Sequence, residues 1–190
     1  MLSAVAAQPL CTEAHRSRKC YNHFRPNLPW SSSANEEQIM SSEFFPLEGG
    51  CRCGQVRFRI AAPPVITMAC HCTGCQRMSA GAFSLSAAIP SVAFLVIRGE
   101  PAIGGLHGPT RHFFCPYCMS WMFTRLDGFD SIVNVRVTML DDPRPFPPFI
   151  ETYTSEKLPW ASTPAVRSFE KFPALEEYES LARDYAAHIK

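Results

Sequence analysis

The chain has 190 residues, 46% of them apolar and 18% charged, with a formal net charge of +1. That composition excludes wholesale disorder, and no apolar run approaches the roughly 20 residues that span a bilayer. Arg16, Arg18, Lys19 and Arg25 outweigh Glu13, Glu36 and Glu37 in the first 39 residues, and the remainder carries equal numbers of basic and acidic side chains. A body without net charge lacks the field of a non-specific nucleic-acid binder.

The first segment, residues 1–42, shows no hydrophobic periodicity and contains Pro26, Pro29 and the polar run SSSANEEQ, so it is expected to be a disordered leader. Translation starting at Met40 is the alternative to a retained leader. Residues 43–165 are expected to form the folded domain and 166–190 a helical extension packed on it. Within the domain, QVRFRI (55–60) alternates polar and apolar residues and predicts a half-buried strand. Phe83 to Ile89 and Val92 to Ile97 are short apolar runs closed by Pro90 and Gly99, again of strand size. SIVNVRVTML (131–140) is the best-defined strand, β-branched and alternating, and Asp141-Asp142-Pro143 stops it. IETYTS (150–155) predicts a further, edge-like strand. Only the C-terminus predicts a helix: after Pro173, Leu175, Tyr178, Leu181, Ala182 and Tyr185 recur at helical spacing.

Nine cysteines raise the question of a disulfide framework. The odd count and the leader MLSAVAAQPL, which has no basic n-region, argue against secretion. Seven of the nine fall in C-x-C, C-x-C-x-x-C and C-x-x-C groups, spacings that chelate metal, and a reducing, cytoplasmic setting follows. Cys51, Cys53, Cys115 and Cys118 suffice for a tetrahedral, four-thiolate zinc site that staples two distant points of the chain. Cys70, Cys72 and Cys75 leave one position of a second zinc open, the arrangement of catalytic rather than structural zinc. Three thiolates on Zn²⁺ make a poor source of hydroxide, so a thiol ligand suits the open position better than water does. A structural site of three cysteines and one histidine, closed by His107 or His112, is the competing reading. His71 lies between two of the cysteines, but backbone alternation points it away from them.

GGCRCGQVRF, CHCTGCQRMSAG, RHFFCPYC, TMLDDP and SEKLPW, spread from Leu47 to Trp160, together resemble the glutathione-dependent formaldehyde-activating enzyme family, which shares its domain with centromere protein V. The resemblance implies a mainly β, Mss-four-like zinc fold of twisted antiparallel sheets stapled by zinc, here followed by one C-terminal helix. It implies two zinc ions per chain: a structural one on Cys51, Cys53, Cys115 and Cys118, and a catalytic one on Cys70, Cys72 and Cys75 that receives glutathione sulfur. The activity implied is that of a carbon–sulfur lyase acting on a thiol–aldehyde adduct such as S-(hydroxymethyl)glutathione. A zinc-stabilised binding module without turnover is the alternative. Arg77 and Lys157 are candidates for the substrate's carboxylates, and Trp160 is expected to pack in the core or beneath the site. No nucleic-acid or membrane partner is expected. Three positions depart from the family's pattern. Met119 stands where Gly is usual and predicts an altered turn. Gln76 replaces a common basic residue and Glu151 a common His, which bears on which thiol fits.

Overall fold

A computed structural model describes residues 44–105 and 108–189, so the expected leader and His107 lie outside the described residues. In chain order the strands are β1 (Leu47–Gly50), β2 (Arg57–Ile60), β3 (Ile66–Cys70), β4 (Ser84–Pro90), β5 (Phe94–Arg98), β6 (Ala102–Gly104), β7 (Thr110–Phe114), β8 (Trp121–Leu126), β9 (Ile132–Arg136), β10 (Ile150–Thr152) and β11 (Arg167–Ser168). Helix α1 (Thr73–Ser79) follows β3, and α2 (Tyr178–His188) ends the chain. Strands β1, β2 and β5 form a three-stranded sheet, and the other eight form a second sheet in the order β11-β10-β3-β4-β9-β8-β7-β6. The protein is therefore mainly β with one C-terminal helix, as expected. The larger sheet is mixed rather than antiparallel throughout, because β10 runs parallel to both β3 and β11.

Period-two alternation explains the layering. On one face of the larger sheet Ala87, Ile89, Phe123, Val133 and Val135 meet Phe58, Ile60 and Phe94 of the smaller sheet. The Phe94 and Phe123 rings approach to 4.8 Å between centroids. Each such side chain removed from water contributes about 1.5–3 kcal/mol. On the opposite face Ile66, Ala88, Phe149 and Ile150 pack against Leu181 and Tyr185 of α2 and against Ile189. That second face also carries Cys70, Ser84, Ser86 and Arg136, because β3, β4 and β9 are registered Cys70 to Ser84 and Ser86 to Arg136. The α2 layer covers only part of it.

Local preference was overruled at three places. The segment IETYTS gives an interior strand rather than an edge: β10 is buried at all three positions between β3 and β11. The run 131–140 stays extended only to Arg136, after which Val137–Met139 tightens into a 3₁₀ turn closed by Leu140 N–H to Val137 C=O. The C-terminal helix begins at Tyr178, and Leu175 lies in a preceding 3₁₀ turn, 71% exposed, so the buried stripe is Leu181, Tyr185 and Ile189. No helix among the described residues is long and apolar enough to cross a membrane.

Candidate metal centres

Cys51 and Cys53 leave β1 in a turn whose geometry aims both sulfurs the same way. Gly54 closes it at φ +74°, donating its N–H to Cys51 C=O at 2.9 Å, while Val56 N–H reaches Cys51 Sγ at 3.2 Å. Glycine occupies this left-handed conformation without the steric penalty of a side chain. Cys115 and Cys118 bracket the turn between β7 and β8. There Met119 N–H donates to Cys115 C=O at 3.0 Å, and Cys118 N–H points at Cys115 Sγ at 3.5 Å. Met119 adopts φ +57° itself. The methionine thus takes the left-handed conformation that glycine adopts most readily, with its side chain 63% exposed.

These two turns, far apart in sequence, bring four sulfurs within 4.8 Å of one another, with Cys51–Cys53 and Cys53–Cys115 Sγ separations of 3.4 and 3.7 Å. A tetrahedron of Zn–S bonds near 2.3 Å has sulfurs about 3.8 Å apart, so the donor set fits zinc. The thiols already divide their protons unequally. Burial opposes ionisation of Cys118, but the hydroxyl and backbone N–H of Ser120 bring it down to about 5. Cys53 is pushed up to about 12: the Gln55 backbone lowers it, and burial with the neighbouring thiols outweighs that.

The second group is built differently. Cys70 ends β3, Cys72 is the N-cap of α1, and Cys75 sits in the helix's first turn, where its N–H donates to Cys72 Sγ at 3.4 Å. The three sulfurs again lie within 4.8 Å of one another. Among the described residues no His, Asp, Glu or further Cys joins them. Helix α1 is short and contains Gly74, so its own propensity is low. The 3₁₀ turn Thr154–Glu156 holds it in place. Glu156 Oε2 accepts from Thr73 N–H at 2.6 Å and from the Thr73 hydroxyl, and Gln76 Nε2 donates to His71 C=O at 2.6 Å and Glu156 C=O at 2.9 Å. Gln76 is thus a staple between the metal-spaced turn and the segment SEKLPW. Cys75 accepts a hydrogen bond from Cys70, which lowers the Cys75 thiol and raises that of Cys70, and burial raises Cys72.

Behind the three cysteines lies a buried polar network invisible in the spacing. His71 is fully buried, and its Nε2 is 3.1 Å from Glu151 Oε2. Glu151 also accepts from Lys157 Nζ at 2.7 Å, Thr163 Oγ1 at 2.9 Å and Ser168 Oγ at 2.8 Å. Burial would raise this carboxyl, yet these donors, Lys157 foremost, hold it at about 2. Lys157 is therefore engaged by Glu151, while Arg77 stands exposed on α1. His112 turns to Thr124 Oγ1 at 3.0 Å and to the Trp121 ring. Trp160, expected to pack in the core or beneath the site, is 74% exposed, in a turn with Pro159. Arg136 and Ser84, neither of them singled out from the sequence, adjoin the trio on the same sheet face, with Ser84 opposite Cys70. The signal for both was polar residues recurring on one face of strands whose other face is core.

Fold and site together define a mainly β protein with two separate cysteine groups, each spaced for one four-coordinate ion, one complete and one lacking a ligand. The sequence profile of the family described as "Glutathione-dependent formaldehyde-activating enzyme" matches residues 46–156. A Halomonas elongata protein named "Putative glutathione-dependent formaldehyde-activating enzyme" is 31% identical over 113 residues, covering 54% of this chain and 70% of that one. A solved Rhodobacter sphaeroides protein superposes with a TM-score of 0.41 at 20% identity, covering 52% of this chain and 93% of that one. The chain belongs to the glutathione-dependent formaldehyde-activating enzyme family.

Proposed function

We propose that the protein is a carbon–sulfur lyase-type enzyme that forms and breaks S-(hydroxymethyl)glutathione or a similar thiol–aldehyde adduct. Cys51, Cys53, Cys115 and Cys118 hold a structural zinc, and Cys70, Cys72 and Cys75 hold the working one. The observation that carries this reading is the inequality of the two groups: four sulfurs gathered in one, three in the other with no further protein donor among the described residues. Zinc at the three-cysteine centre supplies a vacant coordination position and stabilises the substrate sulfur as a thiolate. In the forward direction a sulfur–carbon bond forms to the aldehyde carbon, and the proton given up by the thiol ends on the aldehyde oxygen; cleavage is the reverse.

The chain's own contribution is placement. Cys72 caps α1 and Cys75 rides its first turn, so the Glu156 and Gln76 clamp fixes two of the three donors relative to β3. A donor frame that does not rearrange on binding diverts less of the substrate's binding energy into ordering the site. Arg77, exposed on the same helix, is the candidate contact for a glutathione carboxylate. Lys157 serves substrate only by giving up its bond to Glu151. A cytoplasmic setting suits seven metal-spaced thiols.

The experiment is kinetic. Zinc-loaded protein with glutathione and formaldehyde should raise the rate of adduct formation and cleavage above the spontaneous rate, followed by exchange NMR, and Cys72→Ser should abolish the increase while the fold persists. Equal rates with and without protein, across several thiols, would leave a zinc-stabilised binding module instead.

A further inference from the structure

Arg136, on the covered face of the larger sheet, is 7% exposed. Its partners are all uncharged. Nη1 donates to Ser84 Oγ at 3.1 Å, and Nη2 to Thr124 Oγ1 at 3.4 Å and to Asn134 C=O at 3.5 Å. The guanidinium lies 4.0 Å over the Trp121 ring, and Nε has no hydrogen-bond partner. The ion-paired arginines differ: Arg57, Arg59, Arg111, Arg144, Arg167 and Arg183 each face a carboxylate at a site open to water. A buried guanidinium without an anion is strongly unfavourable, and proteins ordinarily pair it. The cysteine trio adjoins it on the same sheet face: Ser84, the cross-strand partner of Cys70 between β3 and β4, accepts from Arg136 Nη1. Burial lowers the guanidinium only to about 10, so it keeps its charge at neutral pH.

We propose that Arg136 is the buried counter-charge of the Cys70–Cys72–Cys75 centre, acting through Ser84 and setting how tightly that centre holds zinc. The proposal rests on the reading that this trio binds zinc. Three thiolates on a divalent ion leave one net negative charge, which repels an incoming substrate thiolate. A fixed cation held by Ser84, opposite Cys70, offsets it. Arg136 touches neither metal nor substrate; it is a positioning residue, and its influence is electrostatic.

The test follows metal rather than turnover, with the four-cysteine centre as internal control. Protein carrying two zinc ions is titrated with a chromophoric chelator at fixed pH, comparing wild type with Arg136→Met, which keeps bulk without charge, and Arg136→Lys, which keeps charge. Loss of an outer-layer partner typically weakens metal binding about 10–100-fold. Arg136→Met should weaken one equivalent by a factor in that range and leave the other unchanged, with Arg136→Lys recovering most of the loss. In cobalt-loaded protein, the thiolate-to-metal charge-transfer bands of one ion should move in Arg136→Met. Wild-type release of both equivalents by Arg136→Met, or Arg136→Lys as weak as Arg136→Met, would overturn the proposal. Should Arg136→Met fail to fold, Ser84→Ala decides: it should weaken the same equivalent by a smaller factor, and unchanged release refutes the relay. A wild-type chain that takes up only one zinc would overturn the site reading itself, and absent catalysis with two ions bound would bear on the enzyme reading alone.

Discussion

The two cysteine groups offer the same atom type at similar separations in contrasting surroundings. The group from Cys51 to Cys118 is made of two backbone turns whose own N–H groups point at sulfur, and the side-chain hydrogen bonds to those sulfurs come from other thiols and from Ser120. Its donors complete one another. The group from Cys70 to Cys75 is set into a shell of ionisable side chains: Glu156 against α1, Glu151 with His71 and Lys157 behind it, and Arg136 on Ser84, opposite Cys70. Four thiolates on a divalent ion would leave two net negative charges, and here the N–H groups of the site's own turns face the sulfurs.

The sharpest way to break the comparison is to remove one donor from each group. Cys115→Ser should lose the cooperative fold, since metal binding at such a clip is folding free energy. Cys72→Ser should lose one zinc and keep its melting transition. Circular dichroism with elemental analysis checks both, and equal destabilisation by the two substitutions would erase the distinction. A smaller effect separates the charged shell from the sulfurs. Glu151→Gln should cost about 2–3 kcal/mol near neutral pH, because a buried carboxylate with four donors is replaced by an amide. The Glu151 carboxyl is depressed from 4.5 to about 2 in the folded protein. Its stabilisation is therefore complete above the unfolded value and disappears as pH falls through the folded one. Urea denaturation of both proteins should show their stabilities converging from about pH 4.5 down towards pH 2, and a gap that stays constant would contradict the assignment. Smallest of all, Met119→Gly should raise stability by about 0.5 kcal/mol. Relief of the left-handed strain, about 1 kcal/mol, is partly offset by glycine's greater freedom in the unfolded chain. A lower melting temperature for the zinc-loaded variant would refute the strain.

The ligand groups were legible because C-x-C and C-x-x-C spacing carries its geometry locally: i and i+2 share a face, and a turn closes i to i+3. The elements that aim those ligands were not. Helix α1 has no apolar stripe to betray it, and its caps come from Cys72 and, across the fold, from Glu156. Strand β10 reads as an edge because Glu151 and Thr152 are polar, yet both are buried against donors and acceptors contributed by distant segments. Arg136 sits in an alternating strand where the polar face ordinarily meets water; what covers it is set by tertiary packing. Sequence spacing thus located the sulfurs, and long-range contacts determine the electrostatics around them.

Strand β10 has one more consequence. The family profile ends at residue 156, but Lys157, Thr163 and Ser168 come after it and supply three of the donors that keep Glu151 ionised in the interior, while β11 closes the seam beside it. A chain cut at the profile's limit would leave the Glu151 carboxylate with His71 as its remaining side-chain partner and unmask a row of backbone amides, inviting a second copy to pair there. The packed unit is accordingly longer than the stretch the family profile spans.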